Sequence, residues 1–402
     1  MFSMYAAAFR HAPIRVCAIA IFFFGFAGAA TSPFQSVIAI QEFGLSDAAY
    51  SAVILFAAII NVIASVVIGI FSDRLGDYRR ALIIVSCFGI AGSGLIYFGA
   101  NTVSFLIGLL ALLPIFGALN SLIFANVRAY SVTLPGNELA GINAAVRAMI
   151  SLSWVLVPGL VGMVLANAGS MLPAYLISMS ACLVCFGLFQ FALPRKLPSE
   201  GRLKTEIQFL SSLRRVARPG VLVRLLAISL ITSMLHVNAA VLPLITTEAA
   251  GGTLTDVGIV IGIVAVLEIV FIVFWGRMEP KLGSVVSICL GAALYTVYLV
   301  LLGLSSSPLH IYALCLISGF GAAAIISLPI TYLQELIPDL AGLGSSLISV
   351  NLFISAGLSS VLFGFGTYVS GYAGTSMIGG LAGLLGVALV YGLDGRKPAA
   401  TN

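Results

Sequence analysis

Charge is scarce in this chain of 402 residues: Asp, Glu, Lys and Arg make up 8% of it, against 60% hydrophobic residues and a mean hydropathy of +1.15. A water-soluble fold of this size could not hide so much apolar surface. Enzyme signatures are also missing. There is no Walker loop, no metal-ligand cluster and no GxSxG turn, so no enzyme, metal or cofactor is expected. Period-two alternation is rare, which argues against a transmembrane barrel. All six cysteines fall inside apolar stretches. Cys182 and Cys185 are spaced as CxxC but have no His or Cys cluster nearby, so they read as small buried hydrophobes.

What is present is a series of long apolar runs, each near the roughly 20 residues that cross a bilayer as a helix. Helices satisfy their backbone groups internally, as lipid demands. The runs predict twelve spans, at about 14–40, 50–70, 81–99, 103–126, 140–166, 171–193, 221–246, 256–276, 284–304, 309–333, 340–366 and 373–393. The first resembles a signal peptide but is too long for an ordinary h-region, and the topology requires it to stay. All Lys and Arg except Arg128 and Arg147 lie in the two tails, the even-numbered loops or the span ends facing them. The odd-numbered loops carry Glu42, Asp47, Glu248 and Asp256 instead. The positive-inside rule then puts both termini in the cytoplasm. The surplus of positive charge is a topology signal, and no nucleic-acid partner is expected.

The longest charged segment, Pro194 to Pro219, divides the spans into six and six. It predicts an N-terminal bundle over 1–193, a cytoplasmic linker over 194–220 and a C-terminal bundle over 221–402. The halves echo each other. Leu45-Ser46-Asp47 opens span two and Leu254-Thr255-Asp256 opens span eight. Gly69 and Gly276 close those spans, and Gly76 and Gly283 follow each by seven residues. Counting back eight residues from Gly69 and from Gly276 pairs Asn61 with Glu268. Parallel six-helix repeats are a plan used by transporters.

The segment Gly69–Arg80, GIFSDRLGDYRR, gathers Asp73, Arg74, Asp77, Arg79 and Arg80 in what reads as a short hairpin between spans two and three. Glycine, Asp-Arg, a second glycine and a basic pair at that place resemble the signature of the major facilitator superfamily, with Asp77 and Tyr78 inserted before Arg79. The resemblance implies an all-α integral membrane fold of twelve helices in two pseudo-symmetric bundles. It also implies a cytoplasmic gate including Gly69, Asp73, Arg74, Gly76, Arg79 and Arg80. VRAMISLSWVLVPG at Val146–Gly159, VLEIV around Glu268, and YLQELIP at Tyr332–Pro338 followed by a run to Asn351 are similar to the bacterial sugar efflux transporters within that superfamily. That likeness implies a bacterial inner membrane and a sugar or glycoside as substrate. One departure stands out. The family pattern has an acid in span seven two residues before a Pro-aliphatic pair, where this chain has Val241.

Polar groups at bilayer depth are costly and mark candidate sites. Glu268 lies in the middle of span eight. Burial favours the neutral form of a carboxyl, so it is a candidate for coupling protons to substrate, or for accepting sugar hydroxyls. The competing reading is a structural ion pair with an arginine. Arg147 and Trp154 lie seven residues apart on one face of span five and offer a guanidinium fork beside an aromatic plane. Alternatively Arg147 anchors the cytoplasmic gate and Trp154 fills space. Asn61, Asn238 and Asn351 complete the substrate-binding candidates. Arg128 and Glu335, near the cytoplasmic ends of spans four and ten, are expected to serve the gate.

With no ATP-binding segment, concentrative transport would have to draw on an ion gradient. The expectation is a monomeric, proton-coupled exporter of sugars or glycosides working by alternating access in the lipid bilayer. An exporter of drugs or other amphiphiles, a carrier run in the uptake direction, and a non-transporting sensor are the alternatives.

Overall fold

The computed structural model describes residues 10–75, 78–131, 136–194, 218–336 and 341–395. Among the described residues no strand occurs, and eleven helices are long and apolar enough to cross a membrane. We number them α1 (Ala12–Glu42), α2 (Asp47–Leu75), α3 (Tyr78–Gly99), α4 (Thr102–Tyr130), α5 (Gly136–Ala166), α6 (Pro173–Ala192), α7 (Pro219–Ala249), α8 (Leu254–Leu282), α9 (Ser284–Gly303), α10 (Pro308–Glu335) and α11 (Ala341–Asp394). The last has 54 residues. At about 1.5 Å per residue it would be roughly 80 Å long, far more than the ~30 Å hydrocarbon core needs. It breaks at Gly371 (φ 65°, ψ −169°), a conformation that only glycine adopts easily, and the segments on either side correspond to spans eleven and twelve. The chain is a multi-pass membrane protein. Large apolar side chains such as Phe56, Ile63 and Phe365 stand more than half exposed, which lipid accounts for and water would not.

Two expectations need correction. Most of the run from Gly69 to Arg80, expected as a short hairpin, is helical. Helix α2 continues to Leu75 and α3 begins at Tyr78, so Asp73 and Arg74 lie on the last helical turn. Apolar content marks where the membrane ends, whereas a helix continues into water as long as its backbone bonds do. The repeat is also set differently from the LSD/LTD match. Ser46 accepts from the Ala49 amide at 3.2 Å, and Thr253 accepts from the Asp256 amide at 3.3 Å, so these two hydroxyls are the equivalent caps of α2 and α8. The two acids are therefore two residues out of step.

The preceding turns match bond for bond. Helix α1 ends in a π-turn, Ile38–Glu42, and α7 in another, Ile245–Ala249. Phe43 N–H donates to Ile38 at 3.1 Å and Leu45 N–H to Ala39 at 3.0 Å; Ala250 N–H donates to Ile245 at 2.9 Å and Gly252 N–H to Thr246 at 2.8 Å. Gly44 (φ 65°) and Gly251 (φ 66°) occupy the same left-handed position. Asn61 follows Ser46, and Glu268 follows Thr253, by the same fifteen residues, so the structural register upholds their pairing.

The chain divides into two compact units, one of Met1–Leu45 with Phe56–Leu203, the other of Ser46–Leu55 with Lys204–Asn402. The first packs Ile21, Leu82, Phe116, Ile123, Val146 and Phe189 into a continuous core, with Cys182 and Cys185 fully buried in it. In the second, the end of α2 packs on α11: Ser51 Oγ donates to the Ser360 carbonyl at 2.7 Å, and Ser360 Oγ returns a bond to the Ser51 carbonyl at 2.9 Å.

Candidate functional site

The second unit holds a cluster of polar side chains within its apolar interior. Tyr295 and Tyr298 are one helical turn apart on α9, each 1% exposed, with ring centroids 5.1 Å apart. The Tyr298 hydroxyl donates to Oδ1 of Asn238 on α7 at 2.9 Å. Ser318 on α10 faces both tyrosines. Glu268, partly buried on α8, lies close enough to Tyr295 for its charge to act on the phenol. Among the described residues, no hydrogen bond or ion pair holds the Glu268 carboxyl. The competing reading, a structural ion pair with an arginine, is not seen among the described residues. Four helices thus bring two phenols, an amide, a hydroxyl and a carboxyl together. All can exchange hydrogen bonds with a polyhydroxylated ligand, and only Glu268 can carry a charge at ordinary pH.

Sequence reasoning named Glu268 and Asn238 but missed the tyrosines and Ser318. The signal was Tyr-x-x-Tyr in an otherwise apolar span: spacing of three puts both hydroxyls on one helix face. Asn351 lies elsewhere in the unit. It is 4% exposed, accepts from Ser229 at 2.9 Å and donates to Thr232 at 3.2 Å, which ties α11 to α7. His236 lies one turn beyond, its Nδ1 3.4 Å from the Thr232 carbonyl.

In the first unit, Arg147 is exposed, its guanidinium 5.6 Å from the centre of the Phe124 ring. That is within cation–π range. Trp154 is partly buried two turns along α5. Asn61 is occupied in the fold: its Nδ2 donates to the Pro114 carbonyl at 2.7 Å. That carbonyl is available because the Ala118 amide, its ordinary helical donor, bonds to Ile115 instead at 3.0 Å. Gly117 makes room, since a Cβ there would stand 2.1 Å from Asn61 Nδ2. Gly117→Ala should therefore cost about 1–3 kcal/mol as an overpacked site. The double variant with Asn61→Ala should recover part of that loss in a thermal-unfolding cycle. Additive losses would show that the two residues do not meet.

The expected gate residues divide. Arg79 donates from Nε to the Phe189 carbonyl at 3.0 Å and from Nη2 to the Gln190 carbonyl, so it closes the C-terminal turn of α6. Arg80, Arg128 and Glu335 are exposed at helix ends. Gly69 has open space where a Cβ would be. The side chains of Asp73 and Arg74, and Gly76 entirely, lie outside the described residues. What sequence reasoning missed at this end is a knot in the second unit. Arg224 of α7 pairs with Asp394 of α11 through bonds of 2.6 and 2.9 Å, and the Tyr332 hydroxyl of α10 donates to Asp394 at 2.8 Å.

A model of the Major Facilitator Superfamily matches residues 17–360. The chain is similar to Sugar efflux transporter A of Dickeya chrysanthemi, 26% identical over 90% of this chain and 92% of the relative. It is also similar to Sugar efflux transporter B of Salmonella typhimurium, at 25% over 85% and 87%. Among solved structures, an auto-inhibited POT family peptide transporter superposes with a TM-score of 0.76 at 15% identity, covering 98% of both chains.

Proposed function

This chain belongs to the major facilitator superfamily, and on that premise we propose that it exports sugars or glycosides by alternating access in exchange for protons. The observation that carries the proposal is the uncommitted Glu268 carboxyl beside the Tyr295, Tyr298, Asn238 and Ser318 groups. An ionised carboxylate accepts hydrogen bonds from sugar hydroxyls. Once protonated it loses part of that capacity, so proton and sugar bind in competition, which is what exchange requires. Within the first unit, Arg147 and Trp154 carry a guanidinium fork and an aromatic plane that suit a sugar, and Asn61, Asn238 and Asn351 brace helices of their own units. Glu335, Arg128 and the α2–α3 charges, Asp73, Arg74, Arg79 and Arg80, serve the cytoplasmic gate. The names of the curated relatives support the substrate class.

In the same reading the protein is a monomer in a bacterial inner membrane, with both termini cytoplasmic. Residues 1–193 and 221–402 form its two bundles, joined by 194–220. The lead test is vesicle transport: purified protein in liposomes with an imposed pH gradient should move labelled lactose or a phenyl glucoside against its concentration gradient. Folded protein that shows no gradient-dependent flux with any sugar tested would end the proposal.

A second reading, export of lipophilic cations or other amphiphiles, is favoured by an apolar groove of about 580 Å³ on the first unit. Thermal stabilisation by sugars and not by lipophilic cations would decide against it.

A further inference from the structure

The Tyr298 hydroxyl does more than tie α9 to α7. A phenol has one proton to give, an amide oxygen can only accept, and an amide nitrogen can only donate. Tyr298 is 1% exposed, and its hydroxyl donates to Asn238 Oδ1 at 2.9 Å. Turning the Asn238 amide over would put Nδ2 at that place and take the acceptor away from the buried phenol proton, and buried donors are rarely left without one. Ser318 faces the same hydroxyl and has a proton to give to its lone pairs. The amide is therefore held in one sense, its oxygen toward α9 and its nitrogen away from it. Among the described residues, Asn238 Nδ2 has no hydrogen-bond partner. Asn238 is only partly buried, and Nδ2 is not sealed in the interior.

An amide held this way presents N–H groups and withholds its oxygen. Glu268, beside Tyr295 in the same cluster, presents the opposite, since an ionised carboxylate only accepts. Polar groups at bilayer depth face the bundle interior or a water-filled cavity, where an unpaired N–H group can meet a ligand. We propose that Tyr298 is a positioning residue of the sugar site: it orients the Asn238 amide, so that the ligand must bring an accepting oxygen to Asn238 and a donating hydroxyl to Glu268. A pyranoside meets both demands, because each hydroxyl gives and accepts and the ring oxygen accepts. A lipophilic cation meets neither. The inference rests on the proposed sugar reading, and every group it uses belongs to the second unit.

The test is equilibrium displacement of labelled phenyl glucoside from the purified full chain in detergent. The competitors are phenyl glucosides in which one hydroxyl at a time is replaced by hydrogen or by fluorine. Fluorine accepts a hydrogen bond but cannot donate one, and hydrogen on carbon does neither. At one ring position the wild-type protein should bind the fluoro compound roughly fivefold more tightly than the deoxy compound, the worth of one hydrogen bond. Tyr298→Phe frees the amide to turn, and that ratio should fall to near parity. Asn238→Ala should abolish it. Tyr295→Phe, which leaves the Tyr298–Asn238 bond in place, should keep it. Loss of packing would weaken every compound alike, so only the ratio reports how the amide is turned. An unchanged elution volume and melting temperature show that each variant is folded. A wild-type ratio in folded Tyr298→Phe would overturn the proposal. So would a wild-type protein that binds the parent glucoside but nowhere prefers fluorine to hydrogen, a result that needs no variant. A wild-type protein that binds none of these glucosides would overturn the sugar reading itself, and this inference with it.

Discussion

Glu268→Gln is expected to abolish accumulation driven by a pH gradient, reducing it tenfold or more to the level of passive equilibration, while sugar-for-sugar exchange across the same vesicles continues. The substitution keeps the shape and removes the one carboxyl in the α7–α10 cluster, the group the proposed exchange uses to carry the proton. Glutamine still accepts hydrogen bonds from hydroxyls, so recognition survives where coupling does not. The measurement is a pair of assays on one preparation: net flux under a pH gradient, and exchange of labelled for unlabelled sugar without one. Net flux at the wild-type level would remove Glu268 from the coupling step. Loss of both activities in folded protein would reassign it to substrate binding.

Asp394→Ala is expected to produce the largest loss of stability. The Asp394 side chain is 5% exposed and that of Arg224 20% exposed. The carboxylate satisfies two guanidinium N–H groups and the Tyr332 hydroxyl, drawing together the ends of α7, α10 and α11. Removing one partner of a buried ion pair costs about 3–5 kcal/mol. The partial exposure of Arg224 lowers this to about 2–3 kcal/mol, because water can take up some of the freed charge. Thermal unfolding of the detergent-purified variant measures it. A loss below about 0.5 kcal/mol would place the pair among surface ion pairs of little consequence.

The helices were legible in the sequence because lipid imposes one rule on them all, a long apolar run with its backbone bonds closed internally. Each predicted span has a helical counterpart, and the errors lie at ends such as Leu75, where membrane and helix stop at different residues. The depth pairing of Asn61 with Glu268 was legible too, although the LSD and LTD segments suggested a register two residues off. Only the caps at Ser46 and Thr253 corrected it. Side-chain partnerships were far less legible. Composition picked out ionisable groups, and so passed over Tyr295 and Tyr298, whose hydroxyls cost little in the membrane once bonded. It also passed over Arg224 and Asp394, which stood at span ends where charge needs no special reason. Asn61 and Asn351 were singled out as substrate contacts because amides are rare at bilayer depth. What they bond to, the Pro114 carbonyl and the Ser229–Thr232 pair, depends on helix neighbours that no single sequence displays.

The equivalent positions in the two repeats have diverged to opposite uses. At Asn61 a neutral amide is consumed in bracing α2 against α4. At Glu268 a carboxyl stands in the middle of α8, and among the described acidic residues it alone is placed mid-helix. In the proposed cycle that asymmetry limits the energy available. A symmetric frame with one titratable position exchanges one proton per turn, and one elementary charge crossing 100 mV releases about 2.3 kcal/mol. For an uncharged sugar, that caps the outward concentration ratio at roughly fiftyfold for each 100 mV of driving force. Such a carrier would act as a relief valve for surplus sugar, and a steeper gradient would require a second acid at position 61.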